Sequence, residues 1–114
     1  MQSVPAPPAL PGKGRAANIL RMKALWRGQV IADSEAAIEI DRYTYFPRQS
    51  VRMELLRAAA KTASDRQCPH GVQFYDVVEG DTKSARAAWS YEVPQAKMMP
   101  VDHWIGFWED VAIE

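Results

Sequence analysis

The segment "AAIEIDRYTYF", residues 36–46, carries the alternation that predicts the fold. Ile38 and Ile40 fall on one face of an extended chain, and the acid that follows each of them falls on the other. A period of two residues is typical of a β-strand with one buried face and one solvated face. The two tyrosines that follow keep the same period, so the sequence predicts a single strand that ends before Pro47.

Shorter extended segments lie on both sides of this strand. The upstream segment "KALWRGQVIADS", residues 23–34, predicts a hairpin that turns at Gly28 and whose second strand ends at Asp33-Ser34. Downstream, "CPHGVQFYDV", residues 68–77, predicts a strand that turns at Gly80 and returns through "RAAWSYEV", residues 86–93. The C-terminal "HWIGFWEDVAIE" places Ile105 and Phe107 on one face and Trp104 and Trp108 on the other.

One segment has a helical pattern instead. In "RQSVRMELLRAAAKTA", residues 48–63, Val51 and Leu55 recur at helical spacing and Ser50 is a suitable N-cap. Together these segments predict an all-β barrel or sandwich of about six to eight short antiparallel strands with one short helix.

The N-terminal segment, residues 1–21, has a different composition from the rest. Four of the eight prolines and two of the six glycines fall between residues 5 and 14, which disfavours regular hydrogen-bonded structure. We therefore expect a flexible Pro/Gly-rich tail over residues 1–21 and a single β-rich domain over residues 22–114. A chain of 114 residues, 47% hydrophobic and 25% charged, is long enough for one buried core.

Charge and cysteine content exclude several classes of protein. Fourteen basic residues balance fourteen acidic ones, so we expect neither a nucleic-acid nor a membrane partner, and the basic residues near the N-terminus are too dispersed for an electrostatic footprint. No apolar run approaches the length of a membrane span, and the start of the sequence lacks the pattern of a secretory signal. The single cysteine cannot form an internal disulfide. These features predict a cytoplasmic protein.

Several short motifs occur in a characteristic order along the chain: "WRGQVIADS", "YTYFPRQSV", "CPHG" leading into "QFYDV", "AAWSYEVP" and "IGFW". In this order they resemble the small bacterial family described as domain of unknown function 427, which is also labelled nucleotidyltransferase-like. The resemblance covers residues 22–114. It implies a β-tent similar to Mss4-like proteins, and it implies no particular reaction. Relatives typically have a lysine before the glycine of the Cys-Pro turn, whereas His70 stands directly before Gly71 here.

The Cys-Pro-His turn contains the candidates for covalent chemistry. A cysteine nucleophile needs a thiolate, a nearby base and an orienting group, and Cys68 with His70 supplies at most the first two. A closed zinc site takes four Cys or His ligands, and only Cys68, His70 and His103 are present. We therefore expect no metal and no cofactor. Cys68 is otherwise interpreted as a small buried apolar residue.

The aromatic residues give the leading functional hypothesis. Aromatic side chains at strand spacing usually fill a core, but tyrosine and tryptophan carry polar atoms that can also hold a ligand. The sequence therefore predicts a concave site for a small planar or sugar-like molecule, or for a protein partner, formed by Tyr45, Cys68, His70, Trp89 and Tyr91. Two alternatives stay open: a cysteine-dependent enzyme that uses Cys68 and His70, and a homodimeric interaction module that pairs Trp104 or Trp108 across an interface.

Overall fold

The computed structural model describes residues 18–114, and most of them belong to one antiparallel β-sheet. The order of the eight strands across the sheet is β4-β5-β6-β7-β3-β2-β1-β8. The predicted all-β class is therefore confirmed. The strands are β1 (Asn18–Trp26), β2 (Gln29–Ile40), β3 (Tyr43–Phe46), β4 (Leu56–Ala58), β5 (Val72–Glu79), β6 (Thr82–Tyr91), β7 (Ile105–Phe107) and β8 (Val111–Ile113).

The first two hairpins differ in how their turns are built. The turn at Arg27-Gly28 joins β1 to β2 as predicted, with both residues at positive φ. Strand β2 does not end at Asp33-Ser34, and the predicted strand over residues 36–46 is in fact divided by a second turn. Asp41 and Arg42 form that turn at φ 53° and 78°. Two consecutive positive φ values match the twist of a tight hairpin, so β2 and β3 pair as neighbours.

The prediction of a helix over residues 48–63 is wrong. This segment contains two 3-10 turns, Arg48–Ser50 and Met53–Leu55, followed by β4. Tertiary contacts override the local helical pattern, because Val51 forms a β-bridge with Ala32 and the Arg52 amide donates to the carbonyl of Ile31. The one α-helix of residues 18–114, α1 (Ala63–Arg66), follows β4 and is only four residues long.

Within the described residues, β1 begins at Asn18, four residues before the predicted domain start. Residues 18–20 pair with residues 37–39 of the long strand β2, and this pairing orders them. The predicted flexible tail otherwise falls on residues 1–17, which lie outside the described residues. The hairpin of β5 and β6 turns at Gly80 as predicted, with φ 59°.

The sheet buries side chains on both of its faces. On one face a core cluster gathers residues from strands at opposite ends of the strand order, including Trp26 of β1, Phe46 of β3 and Val77 of β5. The sheet must therefore fold over on itself, and the Trp26 indole donates a 2.9 Å hydrogen bond to Ser84 Oγ of β6 across the fold. Alternate residues such as Tyr45 and Trp89 face the other side.

This second face carries what we call the aromatic cluster. Its buried members come from β3, β5, β6 and the 3-10 segment Ala96–Val101, and partly buried aromatic residues surround them. As the alternation predicts, Ile105 and Phe107 lie in the core cluster, whereas Trp104 and Trp108 pack against the aromatic cluster. The buried members are Tyr45, Val72, Trp89, Met98 and Val101.

Candidate functional site

A pocket of about 200 Å³ opens on the aromatic cluster. Five of its seven lining residues are aromatic, and none carries a formal charge in its ordinary state. Strand β3 provides one of them, β5 and β6 provide two each, and the remaining two follow α1 and β7. The lining residues are Tyr43, Cys68, Val72, Phe74, Trp89, Tyr91 and Trp108.

The floor of the pocket depends on a glycine in β7. Gly106 pairs with Tyr45 of β3 on one side and with Trp89 of β6 on the other. A Cβ atom on Gly106 would lie only 2.7 Å from Cζ2 of Trp89, so the indole rests directly on the β7 backbone. The Tyr45 and Trp89 rings meet edge to face with centroids 5.7 Å apart. Tyr45 therefore supports Trp89 from below.

The wall nearest the β2–β3 turn consists of edge-to-face rings. Tyr43 contacts Trp89 and Trp108 with centroid distances of 5.2 and 6.2 Å, and Trp89 contacts Trp108 at 5.6 Å. The Trp108 indole also donates a 2.6 Å hydrogen bond to the carbonyl of Arg86. Edge-to-face packing is a favoured arrangement for aromatic pairs, so these three rings fix one another.

Phe74 is held from outside the pocket by a cation. The Arg86 guanidinium lies 4.0 Å from the centre of the Phe74 ring. The same guanidinium donates two hydrogen bonds, of 2.7 and 3.1 Å, to the buried carboxylate of Asp65. These bonds lower the pKa of Asp65 to about 2, although its burial acts in the opposite direction. The charge of Arg86 is thus compensated outside the pocket.

Helix α1 positions Cys68 in the pocket lining. Thr62 and Asp65 form a reciprocal capping box at the start of the helix. At its end the Cys68 amide donates a 3.2 Å hydrogen bond to the carbonyl of Asp65. The chain then turns through Gly71, at φ 63°, into β5. Asp65 thereby links two parts of the pocket lining: its carbonyl accepts from the Cys68 amide, and its carboxylate holds Arg86, which contacts Phe74.

His70 lies beside the pocket. Its ring packs against Tyr91 with centroids 5.1 Å apart, and its Nδ1 accepts a 2.9 Å hydrogen bond from the Gln95 amide. Within the part of the chain that the structure describes, Cys68 and His70 share no hydrogen bond. The geometry therefore forms no nucleophile–base pair from these two residues.

Burial strongly affects the deepest polar groups of the cluster. Tyr45 is 2% exposed, and its burial, reinforced by the neighbouring Tyr91, raises the pKa of its hydroxyl far above the ordinary range. The Trp89 indole N–H acts in the opposite direction, towards a lower pKa of this hydroxyl. Within residues 18–114, it is the one buried side-chain nitrogen without a partner.

The structure brings together three of the five predicted site residues. Cys68, Trp89 and Tyr91 line the pocket, whereas Tyr45 lies beneath it and His70 lies outside it. Strand alternation assigned the correct face to Tyr45 but could not give its depth, which follows from the central position of β3. Sequence analysis did not place four of the lining residues at the site: Tyr43, Val72, Phe74 and Trp108.

Patterns in the sequence could have identified part of this missing set. Tyr43 shares the face of Tyr45 by alternation, and Phe74 is the direct cross-strand partner of Trp89. A glycine inside an apolar strand also indicates a close backbone approach. Gly106 provides that indication, and Trp89 is the side chain that approaches it.

The histidines do not form a metal centre with Cys68. His103 lies in a separate polar group, where its Nε2 is 3.3 Å from Glu92 and its Nδ1 is 2.6 Å from Asp102. Among residues 18–114, no three His, Cys, Asp or Glu side chains come together in a way that would hold a metal ion. In the same range, no helix is long and apolar enough to cross a membrane.

Comparison with known families identifies the domain. The family model described as Domain of unknown function (DUF427) matches residues 16–114, which include every strand and every residue of the pocket. The chain belongs to the DUF427 family. The match confirms the resemblance found in the sequence motifs. A search of curated proteins found no match, so membership in DUF427 identifies the domain without assigning it an activity.

Proposed function

We propose that this DUF427 domain binds a small, uncharged compound with one planar ring in the aromatic pocket. The observation that carries the proposal is a partly open recess in which five of the seven lining residues are aromatic. Ring faces on several sides favour a flat apolar ligand through stacking and edge-to-face contacts.

The size of the pocket limits the ligand. Pockets for drug-sized ligands commonly measure about 300–1,000 Å³, and this one measures about 200 Å³. A single ring system fits this volume better than a nucleotide or an oligosaccharide. The tyrosine hydroxyls of Tyr43 and Tyr91 and the thiol of Cys68 are the polar groups available to orient the ring.

The charge distribution favours an uncharged ligand. No acidic side chain lines the pocket to balance a cation. The outer face of Phe74 is already occupied by Arg86, so it is not available to a second cation. No basic side chain lines the pocket to pair with an anion, so burial of an anionic ligand would leave its charge uncompensated.

Titration with simple ring compounds tests the proposal. We expect indole and benzamide to shift the NMR signals of Trp89 and Trp108 in the full chain, and tetramethylammonium and methyl glucoside to have no effect. Trp108→Leu should weaken indole binding about five- to 150-fold, because it removes one ring face worth about 1–3 kcal/mol. Trp104→Leu, outside the pocket lining, is the matched control. Signals that do not respond to either ring compound would reject the proposal.

A cysteine-dependent activity is the second candidate, since Cys68 is partly exposed and lines the pocket. Its test is the rate of Cys68 alkylation as a function of pH in the wild type and in His70→Gln. A thiol that reacts only at alkaline pH in both proteins would reject it. The cytoplasmic location, the bacterial source and the homodimer pairing through Trp104 or Trp108 stay predictions.

A further inference from the structure

Arg86 has an unusual backbone conformation for a residue inside a strand. Its φ is 55°, and among residues 18–114 it is the one residue of a strand with a positive φ. The others with positive φ lie between elements, where the chain turns. Left-handed geometry is unfavourable for a residue that has a side chain, and strained residues of this kind concentrate at functional sites. The conformation of Arg86 therefore points to a role beyond strand pairing.

The strain at Arg86 belongs to a bulge in β6. Between the residue pairs on either side, three residues of β6 (85–87) face the single residue Asp76 of β5. The Asp76 carboxylate accepts a 2.9 Å hydrogen bond from the Arg86 amide, so this amide is satisfied although it leaves the regular ladder. Bulges re-aim side chains and backbone groups of the strand that carries them. In this bulge, the groups that are re-aimed are the carbonyl and the guanidinium of Arg86.

The backbone of the bulge fixes Trp108. The Arg86 carbonyl accepts a 2.6 Å hydrogen bond from the Trp108 indole N–H, and the Ala87 carbonyl accepts a 3.0 Å bond from the Trp108 amide. Two successive carbonyls thus take both N–H groups of this tryptophan. The bulge therefore determines the position of the Trp108 ring.

The side chain of Arg86 fixes the neighbouring ring. Its guanidinium lies 4.0 Å from the centre of the Phe74 ring, which is inclined at only 27° to the Trp108 ring with centroids 6.1 Å apart. Two hydrogen bonds to the Asp65 carboxylate keep the guanidinium in this position. Arg86 thus holds two of the five aromatic residues of the pocket lining, although it is not itself part of that lining.

We propose that Arg86 is the positioning residue of the aromatic pocket, and that its strained bulge holds Phe74 and Trp108 in the arrangement that receives a ring ligand. This inference rests on the proposed function, since it requires the pocket to bind a ring. A ligand binds more tightly to side chains that are already ordered, because binding does not have to order them. A change at Arg86 therefore weakens binding without removing any group of the pocket lining.

Arg86→Lys tests the role of the side chain. Lysine keeps a positive charge beside Asp65, but its ammonium is a point charge and cannot pair with a carboxylate and cover a ring as the planar guanidinium does. We expect the Kd for indole to rise roughly two- to thirtyfold, because binding must then order the Phe74 ring that the cation–π contact had held. The Kd is measured at a temperature where wild type and variant are both fully folded.

Arg48→Lys is the matched control. The Arg48 side chain is 34% exposed and ion-paired with Glu92, whereas that of Arg86 is 33% exposed and ion-paired with Asp65. Arg48 contacts no residue of the pocket lining through its ion pair. Its replacement should therefore leave the Kd for indole unchanged, whatever it does to the Tm.

NMR of the wild type gives a second readout that needs no variant, and it decides the matter if Arg86→Lys does not fold. Addition of indole should shift the guanidinium Nε–H signal of Arg86, since the ligand acts on it through Phe74. The Nε–H signal of Arg48 should not shift. In the ligand-free Arg86→Lys protein, the indole N–H signal of Trp108 should also move, whereas that of Trp26, in the other cluster, should not.

These readouts separate the inference from the proposed function. Indole that binds with equal Kd to wild type and Arg86→Lys, or that binds to wild type without any shift of the Arg86 signal, would overturn the inference and support the proposed function. Equal losses of affinity in Arg86→Lys and Arg48→Lys would also overturn the inference, since they would show a general effect of losing a guanidinium. No binding of indole or benzamide by the wild type would overturn both.

Discussion

Gly106 shows how one residue without a side chain determines the shape of the pocket. Its strand position would accept many side chains, but the Trp89 indole occupies the space that a Cβ would need. Trp89 is 4% exposed and contacts four other aromatic residues of the pocket region, Phe74 among them. Any displacement of Trp89 is therefore transmitted to Tyr43, Tyr45 and Trp108.

Gly106→Ala should lower the free energy of unfolding by about 1–3 kcal/mol, the usual cost of overpacking a core. The loss should shrink in a Trp89→Leu background, because leucine does not extend to the position of Cζ2. Denaturant unfolding of the four proteins of this cycle measures the effect. Equal losses in both backgrounds would show that contact with the indole is not the cause.

Asp65 should make the stability depend on pH in acid. Its hydrogen bonds from Arg86 lower the pKa from 3.8 to about 2 on folding. A group whose pKa is lowered on folding stabilises the protein fully above the unfolded pKa, and this contribution is lost as pH falls through the folded one. The stabilisation is therefore complete above pH about 4 and disappears towards pH about 2.

The expected result is that Asp65→Asn destabilises the protein at pH 7 and that its difference from wild type narrows between pH 4 and pH 2. Denaturant unfolding over this pH range measures it. The control is Asp81→Asn at an exposed turn position that makes no ion pair with the described residues. A stability difference between wild type and Asp65→Asn that stays constant from pH 4 to pH 2 would contradict the lowered pKa of Asp65.

At the scale of elements, turn chemistry explains which hairpins the sequence could predict. Gly28 and Gly80 marked two turns correctly, since glycine adopts positive φ without steric cost. The Asp41-Arg42 turn has the same two-residue form as Arg27-Gly28 but contains no glycine. The alternating residues on both sides of it were therefore predicted to form one long strand. Likewise, residues 48–63 carry a helical pattern, which partners distant in sequence override: Val51 forms a bridge with Ala32, and β4 pairs with β5.

Arg42→Gly should therefore stabilise the protein, by about 0.5 kcal/mol. A left-handed residue other than glycine costs roughly 1–2 kcal/mol, and the extra freedom of glycine in the unfolded chain offsets part of the gain. Thermal unfolding should show a higher Tm. Arg57→Gly, in the exposed part of β4 where φ is not positive, is the matched control and should lower the Tm. A lower Tm for Arg42→Gly as well would refute the turn argument.

At the scale of the whole molecule, the folding of the sheet depends on contacts between strands distant in the strand order. The Trp26 indole of β1 donates to Ser84 Oγ of β6, and Ser84 Oγ donates to Asp110 at 2.7 Å. Sequence alternation predicted strands with one buried and one solvated face, whereas the sheet buries side chains on both faces. Alternation also contains no information on which strands face each other. The β-tent, Mss4-like form of this folded sheet stays a prediction.

Ser84→Ala should lower the free energy of unfolding by about 1–3 kcal/mol, because it leaves the buried Trp26 N–H without an acceptor. In a Trp26→Phe background the same substitution should cost less, since no indole N–H is then present. Urea unfolding of the two single variants and the double variant gives the coupling energy. Additive costs would show that the two residues do not stabilise the fold jointly.

The strands at the two edges of the sheet affect the tendency of the protein to aggregate in concentrated solution. β4 and β8, the two outermost strands, are each three residues long, and short edge strands offer few free amides and carbonyls to another chain. Within the described part of the chain, residues 18–22 of β1 have no partner on the β8 side, and they include Arg21, which is ion-paired with Glu35 at 3.0 Å. Charged side chains at such an edge oppose intermolecular strand addition. The architecture thus disfavours fibril nucleation by the native state.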